Sequence, residues 1–129
     1  VGDDLFVTNT ERLAKGIKIA RQLEPFDPLF FEEPVPPDNL DALKAVRDKS
    51  PVPIAAGERL YSLRSFMDLF ALRAADYVQP DVSHCGGISA VKKMAAMAEP
   101  YYVALAPHNP SGPVANAATL PSCQPHAGL

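Results

Sequence analysis

The sequence predicts an α/β fold in which short parallel strands alternate with helices. Three observations support this class: short apolar runs recur at nearly regular intervals, apolar residues lie three or four apart in the stretches between them, and the strand-then-helix order repeats along the chain. The composition, 47% hydrophobic and 21% charged, is typical of a globular protein. A length of 129 residues corresponds to about one domain, so residues 1–129 are expected to form a single unit.

Five apolar runs are interpreted as buried strands, because each is short and dominated by apolar residues. In chain order they are "DLFVT" (4–8), "PLFFE" (28–32), "VPIAA" (52–56), "DYVQP" (76–80) and "YVALA" (102–106). Strands separated by helices in this way indicate parallel βαβ units with helices covering the sheet.

The stretches between these runs are predicted to be helices with one apolar face. The first begins at Thr10, the next two follow Asp38 and Ser62, and the fourth follows the Gly86–Gly87 pair. Thr10, Asp38 and Ser62 are the predicted N-caps, because their side-chain oxygens can accept from the first free N–H groups of a helix. A final helix is expected in "GPVANAATL".

Parallel βαβ units build either an open doubly wound sheet or a closed barrel. No GxGxxG motif follows the first predicted strand, which disfavours the nucleotide-binding open sheet. A complete TIM (β/α)8 barrel takes about 250 residues. The prediction is therefore a partial TIM barrel of about five βα units.

Net charge and composition limit the classes of molecule that the protein is expected to bind. A net charge of −3 provides no basic surface for nucleic acid, and no apolar run approaches the roughly 20 residues of a membrane-spanning helix. The expected partner is a small molecule. Cys85 and Cys123 form no CxxC motif, so we expect free thiols and a reduced, cytoplasmic setting.

Polar residues at the strand ends are the candidates for chemistry, because the carboxyl ends of barrel strands form the active face. They are Asp3, Asp4, Glu32, Glu33, Glu58, Asp81 and His108. Carboxylates that point into one cavity repel each other unless a cation joins them, and oxygen ligands suit Mg²⁺. Asp3 and Asp4 lie at the start of their predicted strand rather than at its end, so their position at this face depends on strand geometry.

Each candidate also has a simpler interpretation. Glu32 and Glu33 could be solvated loop residues, and Glu58 with Arg59 could be a surface ion pair worth about 0–1 kcal/mol. Asp81 could cap the helix after Gly87, and His108 could be an ordinary loop histidine. The recurrence of acids at the end of strand after strand favours the metal site.

From about residue 24 to residue 110 the chain resembles the barrel domain of the enolase superfamily, in the mandelate racemase and muconate lactonizing enzyme group and its sugar-acid dehydratases of the galactonate type. Four motifs carry the resemblance: "EPFDPLFFEEPVPPDNLDAL", "PIAAGERLYSLRSF", "DYVQPDVSHCGGISAVKKMAAMAE" and "VALAPHNPSGPVANAA". The first eighteen residues, "VGDDLFVTNTERLAKGIK", resemble enolase proper instead.

The resemblance implies a Mg²⁺-dependent lyase that removes the α-proton of a sugar acid, passes through an enediolate and expels the β-hydroxyl to give a 2-keto-3-deoxy acid. Glu32 and Glu58 would bind the Mg²⁺, with Asp3 as a third ligand or Asp4 in its place. Asp81 and His108 would form an aspartate–histidine dyad that delivers protons. Glu33 and Arg59 would support the site, whereas Ser83, His84 and Asn109 are left unassigned.

Two alternatives stay open. The chain could be a non-catalytic fragment or chimera, because the capping domain of the family is expected to be absent. It could also be a phosphopyruvate hydratase, although "VQPDVSH" has an aspartate where that enzyme would have a catalytic lysine. Exposed edges of parallel strands also suggest a homo-oligomer.

Overall fold

The computed structural model describes residues 3–122 of the chain, with side chains from residue 10 to residue 121. Cys123 therefore lies outside the described residues. Four short strands form one parallel sheet: β1 (Phe31–Glu32), β2 (Ile54–Ala56), β3 (Tyr77–Val78) and β4 (Ala104–Leu105). Their order in the sheet is the order in the chain, as in the wall of a barrel, and differs from the reversed order of a doubly wound sheet.

Within residues 3–122, five helices accompany the sheet. They are α1 (Asp3–Leu23), α2 (Leu40–Arg47), α3 (Leu63–Leu72), α4 (Ile88–Ala98) and α5 (Pro113–Thr119), with short 3-10 turns at Glu24–Phe26, Glu99–Tyr101 and Leu120–Ser122. The predicted α/β class and four of the five predicted strands are confirmed. Among residues 3–122, no helix is both long and apolar enough to cross a lipid bilayer.

The strand predicted at residues 4–8 is wrong, because this segment is the start of α1. The apolar run "LFV" is too short to distinguish a strand from a helix, and no proline or glycine separates it from the helical pattern that follows. Thr10 consequently lies inside α1 and is not an N-cap. Asp38 is not a cap either, since the neighbouring Asn39 Oδ1 accepts the Ala42 N–H at 2.9 Å. Ser62 caps α3 as predicted.

Strand register divides the sheet into two faces. Ala56, Val78 and Leu105 are paired neighbours, and all three pack in the hydrophobic core beneath the helices. Side chains alternate along a strand, so the next set of paired residues faces the opposite side. That set is Glu32, Ala55, Tyr77 and Ala104. Glu32 therefore projects from the face that the helices do not cover.

Candidate active site

The four parallel strands end at the same edge of the sheet, and the predicted site residues follow those ends. Glu32 closes β1, Glu58 lies just after β2, Asp81 follows β3 and His108 follows β4. Residues that are far apart in the sequence are thereby brought together. His108 contacts both Glu58 and Asp81 directly. Glu32 contacts the end of β3 through a hydrogen bond from the side chain of Gln79.

His108 lies between two carboxylates. Its Nδ1 is 3.0 Å from Asp81 Oδ2, and its Nε2 is 3.0 Å from Glu58 Oε2. A neutral imidazole donates through one nitrogen only, whereas the protonated ring donates through both. The two acceptors therefore suit a ring that holds a proton and can pass it on. The Glu58 contact was not predicted, because the sequence does not show that β2 and β4 bring these two side chains together.

Asp81 is almost completely buried and holds several hydrogen bonds at once. Its Oδ1 accepts the Ser83 N–H at 2.7 Å, in a tight turn whose backbone also bonds back to the Asp81 carbonyl. Burial raises the pKa of Asp81, but the hydrogen bonds from Ser83 and His108 outweigh that effect, so the pKa lies below its usual value. An ionised Asp81 can thus fix the orientation of the His108 ring. The alternative that Asp81 caps α4 is wrong, since Gly87 occupies that position.

Arg59 connects neighbouring strand ends. Its Nε donates to Glu33 Oε2 at 2.6 Å, whereas it is 4.0 Å from Glu58 Oε1. The hydrogen bond to Glu33 is the main reason that the pKa of Arg59 is raised. The expected Glu58–Arg59 ion pair is present at 4.0 Å, but the hydrogen bond of Arg59 goes to Glu33, whose side chain is only 8% exposed.

Gln79 is a site residue that the sequence analysis missed. Its Nε2 donates to Glu32 Oε1 at 2.8 Å, which joins the end of β3 to the end of β1. The signal was present in "VQPD", because Gln79 directly follows the apolar part of a strand. Gln79 carries no ionisable group, so the recurrence of acids at the strand ends does not mark it.

The oxygen atoms at the strand ends supply some of the ligands that a magnesium ion needs. Among the described residues, no group of three or more His, Cys, Asp or Glu side chains is arranged to hold a metal. Mg²⁺ is, however, commonly held by one or two carboxylates together with water. Within the same part of the chain, three buried oxygens have no hydrogen-bond donor, namely Glu33 Oε1, Gln79 Oε1 and Asn109 Oδ1. Glu32 and Glu58 are thus two carboxylates at neighbouring strand ends, and their role as metal ligands stays a prediction.

The third predicted ligand stays a prediction. Asp3 and its alternative Asp4 are the first two residues of α1, and their side chains lie outside the described set. Gly16 of the same helix packs against the backbone of Pro34, next to the end of β1. Since a helix rises about 1.5 Å per residue, Asp3 is roughly 20 Å along the axis from Gly16.

A cavity of about 540 Å³ lies beside the dyad, between the starts of α4 and α5. Ser83, Gly86, Ser89 and Ser111 contribute to its wall, but Glu32, Glu58 and His108 do not. The cavity is therefore separate from the cluster of ionisable groups, and the strand ends are the better location for chemistry.

The fold and the site together define a class: a parallel α/β barrel segment whose strand ends carry carboxylates and a histidine. The model of the Enolase C-terminal domain-like family matches residues 6–127. The chain belongs to this family. It is a barrel-domain segment of the enolase superfamily related to galactonate dehydratases, as its motifs predicted.

Individual relatives agree with this assignment. A D-galactonate dehydratase of Xanthomonas euvesicatoria is 46% identical over 102 residues, which is 79% of this chain and 27% of that enzyme. A mandelate racemase/muconate lactonizing enzyme-like protein from Rubrobacter xylanophilus superimposes with a TM-score of 0.83 at 49% identity, over 86% of this chain and 28% of the other. The 3,6-anhydro-D-galactonate cycloisomerase of Zobellia galactanivorans superimposes with a TM-score of 0.81 at 38% identity, over 85% and 32%. The chain thus spans about a quarter to a third of the length of these proteins.

Proposed function

We propose that these residues form part of the active site of a sugar-acid dehydratase. The observation that carries the proposal is the position of His108, held between Asp81 and Glu58 where three strands end. The 46% identity to a D-galactonate dehydratase supports an aldonic acid of the galactonate type as substrate.

The proposed reaction passes the α-proton of the acid to a general base other than His108 and expels the β-hydroxyl as water. The resulting enol gains a proton at C3 as it loses the proton of its C2 hydroxyl, which gives a 2-keto-3-deoxy acid. On this proposal the His108 ring is protonated on both nitrogens before the step: Nδ1–H donates to Asp81, and Nε2–H is the bond that can release a proton. The proton on Nε2 is transferred to the departing hydroxyl, which leaves as water. Because Asp81 is buried and ionised, the ring keeps its orientation when its proton has left.

Glu32 and Glu58 are the proposed ligands of a Mg²⁺ ion at the ends of β1 and β2. When bound, Mg²⁺ supplies a Lewis acid for the substrate carboxylate. Glu58 also contacts His108. The Glu58 carboxylate therefore belongs to the proposed ligand set and also contacts the acid–base group, His108.

The test is a turnover assay on the 129-residue chain with Mg²⁺ and a panel of aldonic acids, in which the keto product is detected as its semicarbazone. The wild type is expected to form product, and His108→Asn is expected to lose at least about 100-fold in rate, as for removal of a general acid. His84→Asn is the matched control, because His84 is more exposed and its Nδ1 is 3.8 Å from Asp81. Unchanged turnover in His108→Asn would contradict the assignment.

A second candidate, a non-catalytic segment, is favoured by a different observation. Within the part of the chain that the structure describes, no group of three or more His, Cys, Asp or Glu side chains is arranged to hold a metal. On this hypothesis the wild type unfolds cooperatively but forms no product from any acid in the panel. The turnover assay therefore separates the two candidates.

A further inference from the structure

Gln79 makes a long-range contact that the proposed reaction does not use. Its side chain crosses the sheet from β3 to β1, over β2, and donates Nε2–H to Glu32 Oε1 at 2.8 Å. Ala55 of β2 is the paired neighbour of Glu32 and has only a methyl group. The small residue between the two strands leaves room for this reach.

The orientation of the Gln79 amide follows from its partner. A carboxylate can only accept hydrogen bonds, so the NH₂ group of Gln79 has to face Glu32 and the carbonyl oxygen has to face away. That Oε1 atom is buried, and no donor reaches it among the described residues. A buried acceptor without a donor destabilises the folded state, because it has lost its hydrogen bonds to water. Stability alone therefore does not explain a glutamine at this position.

We propose that Gln79 is a positioning residue that holds Oε1 of Glu32 and so leaves its second oxygen directed for a divalent cation. Residues that orient a ligand through a hydrogen bond commonly set its affinity for metal. The inference rests on the proposed function, since it needs Glu32 as a ligand. Gln79 itself touches neither metal nor substrate in this role.

The experiment measures Mn²⁺ binding to the full 129-residue chain by titration calorimetry and by the EPR signal of free Mn²⁺. The wild type, Gln79→Leu and Gln22→Leu are compared, the last as a matched control, because Gln22 is an exposed residue of α1. Gln79→Leu is expected to weaken Mn²⁺ binding by about 10- to 100-fold. Urea unfolding with a chelator present is expected to show no loss of stability in Gln79→Leu, because the buried acceptor is removed together with its hydrogen bond. Gln79→Met repeats the test should the leucine variant fail to fold.

The outcomes are distinct. Equal Mn²⁺ affinity in the wild type and Gln79→Leu overturns the inference and leaves the proposed function standing. A loss of stability without a loss of affinity also overturns it, since Gln79 would then only tie β1 to β3. Absence of Mn²⁺ binding by the wild type overturns the metal part of the proposed function and the inference with it.

Discussion

Asp81 and His108 show how single residues combine stability with chemistry. The Asp81 side chain is 1% exposed, yet it is charged, because Ser83 and His108 offset the effect of burial. The hydrogen bond between His108 and Asp81 helps to keep the pKa of Asp81 low and also holds the imidazole ring. A change at Asp81 should therefore alter both folding and proton transfer.

The pH dependence of stability provides a test of Asp81. Its pKa is lower in the folded chain than in the unfolded chain, where it is about 3.9. The stabilisation is therefore complete above the unfolded pKa and is lost as the pH falls through the folded pKa. Urea unfolding between pH 7 and pH 2 should show a shallower acid loss of stability in Asp81→Asn than in the wild type. Asp38→Asn, at an exposed site, is the control, and equal slopes in all three proteins would contradict the expectation.

Gly57 provides a second prediction, on packing next to Glu58. Its φ is +134°, and a Cβ atom there would lie 3.0 Å from Gln79 N and 3.0 Å from Phe66 Cε1. Gly87 also has a positive φ, but a Cβ atom there would meet nothing within 4 Å. Both alanine variants incur backbone strain, and only Gly57→Ala adds overpacking. Gly57→Ala should be less stable than Gly87→Ala by about 1–3 kcal/mol in urea unfolding. Equal losses would mean that the neighbours of Gly57 move aside.

At the scale of elements, α1 and α3 differ in how clearly the sequence marks their ends. α3 begins after the cap Ser62, whose Oγ accepts the Ser65 N–H at 3.1 Å. The segment before Thr10 has no such boundary, and α1 extends back to Asp3. A helix boundary is therefore predictable where a side chain satisfies the free backbone groups, and not where only a short apolar run is available.

The end of α3 carries a further prediction. Arg73 occupies the left-handed region, with φ 51° and ψ 47°, and its N–H bonds to the carbonyls of the last turn. Glycine adopts this conformation without the clash that a Cβ atom causes. Arg73→Gly should therefore raise the free energy of unfolding by up to about 1 kcal/mol. Ala71→Gly, inside the same helix, should lower it by about 1 kcal/mol. Thermal and urea unfolding of both variants check the opposite signs, and a loss in both would contradict the role of Arg73.

For the whole molecule, metal binding should couple to folding. A ligand at 100 times its Kd adds about 2.7 kcal/mol to stability, or roughly 10 °C in Tm for a chain of this size. The melting temperature, followed by circular dichroism, should rise when the chelator is replaced by excess Mg²⁺. The rise should disappear in Glu58→Gln and persist in Glu99→Gln, at an exposed position after α4. A wild-type melting temperature that does not change with Mg²⁺ would contradict the proposed ligands.

The homo-oligomer also stays a prediction, which sedimentation of the same samples can check.

Much of this architecture follows from local patterns. Apolar runs at residues 28–32, 52–56, 76–80 and 102–106 each contain a strand of the sheet, because a buried strand needs apolar side chains whatever its neighbours are. Once the strands are located, the candidate site residues follow, because parallel strands have to end at one edge of the sheet. These residues are Glu32, Glu58, Asp81 and His108. The dyad contact between Asp81 and His108, expected from the family motifs, is present at 3.0 Å.

The remaining features depend on which strands are neighbours and on which way each side chain turns. The contact of Glu58 with His108 and the bond from Gln79 to Glu32 each join residues from different βα units. No local pattern specifies such pairs, because their energies arise only when the sheet has formed. The sequence by itself determined the α/β class and the residues available for chemistry. Tertiary structure decided which of those side chains meet, since the contacts of Glu58 with His108 and of Gln79 with Glu32 depend on packing between distant segments.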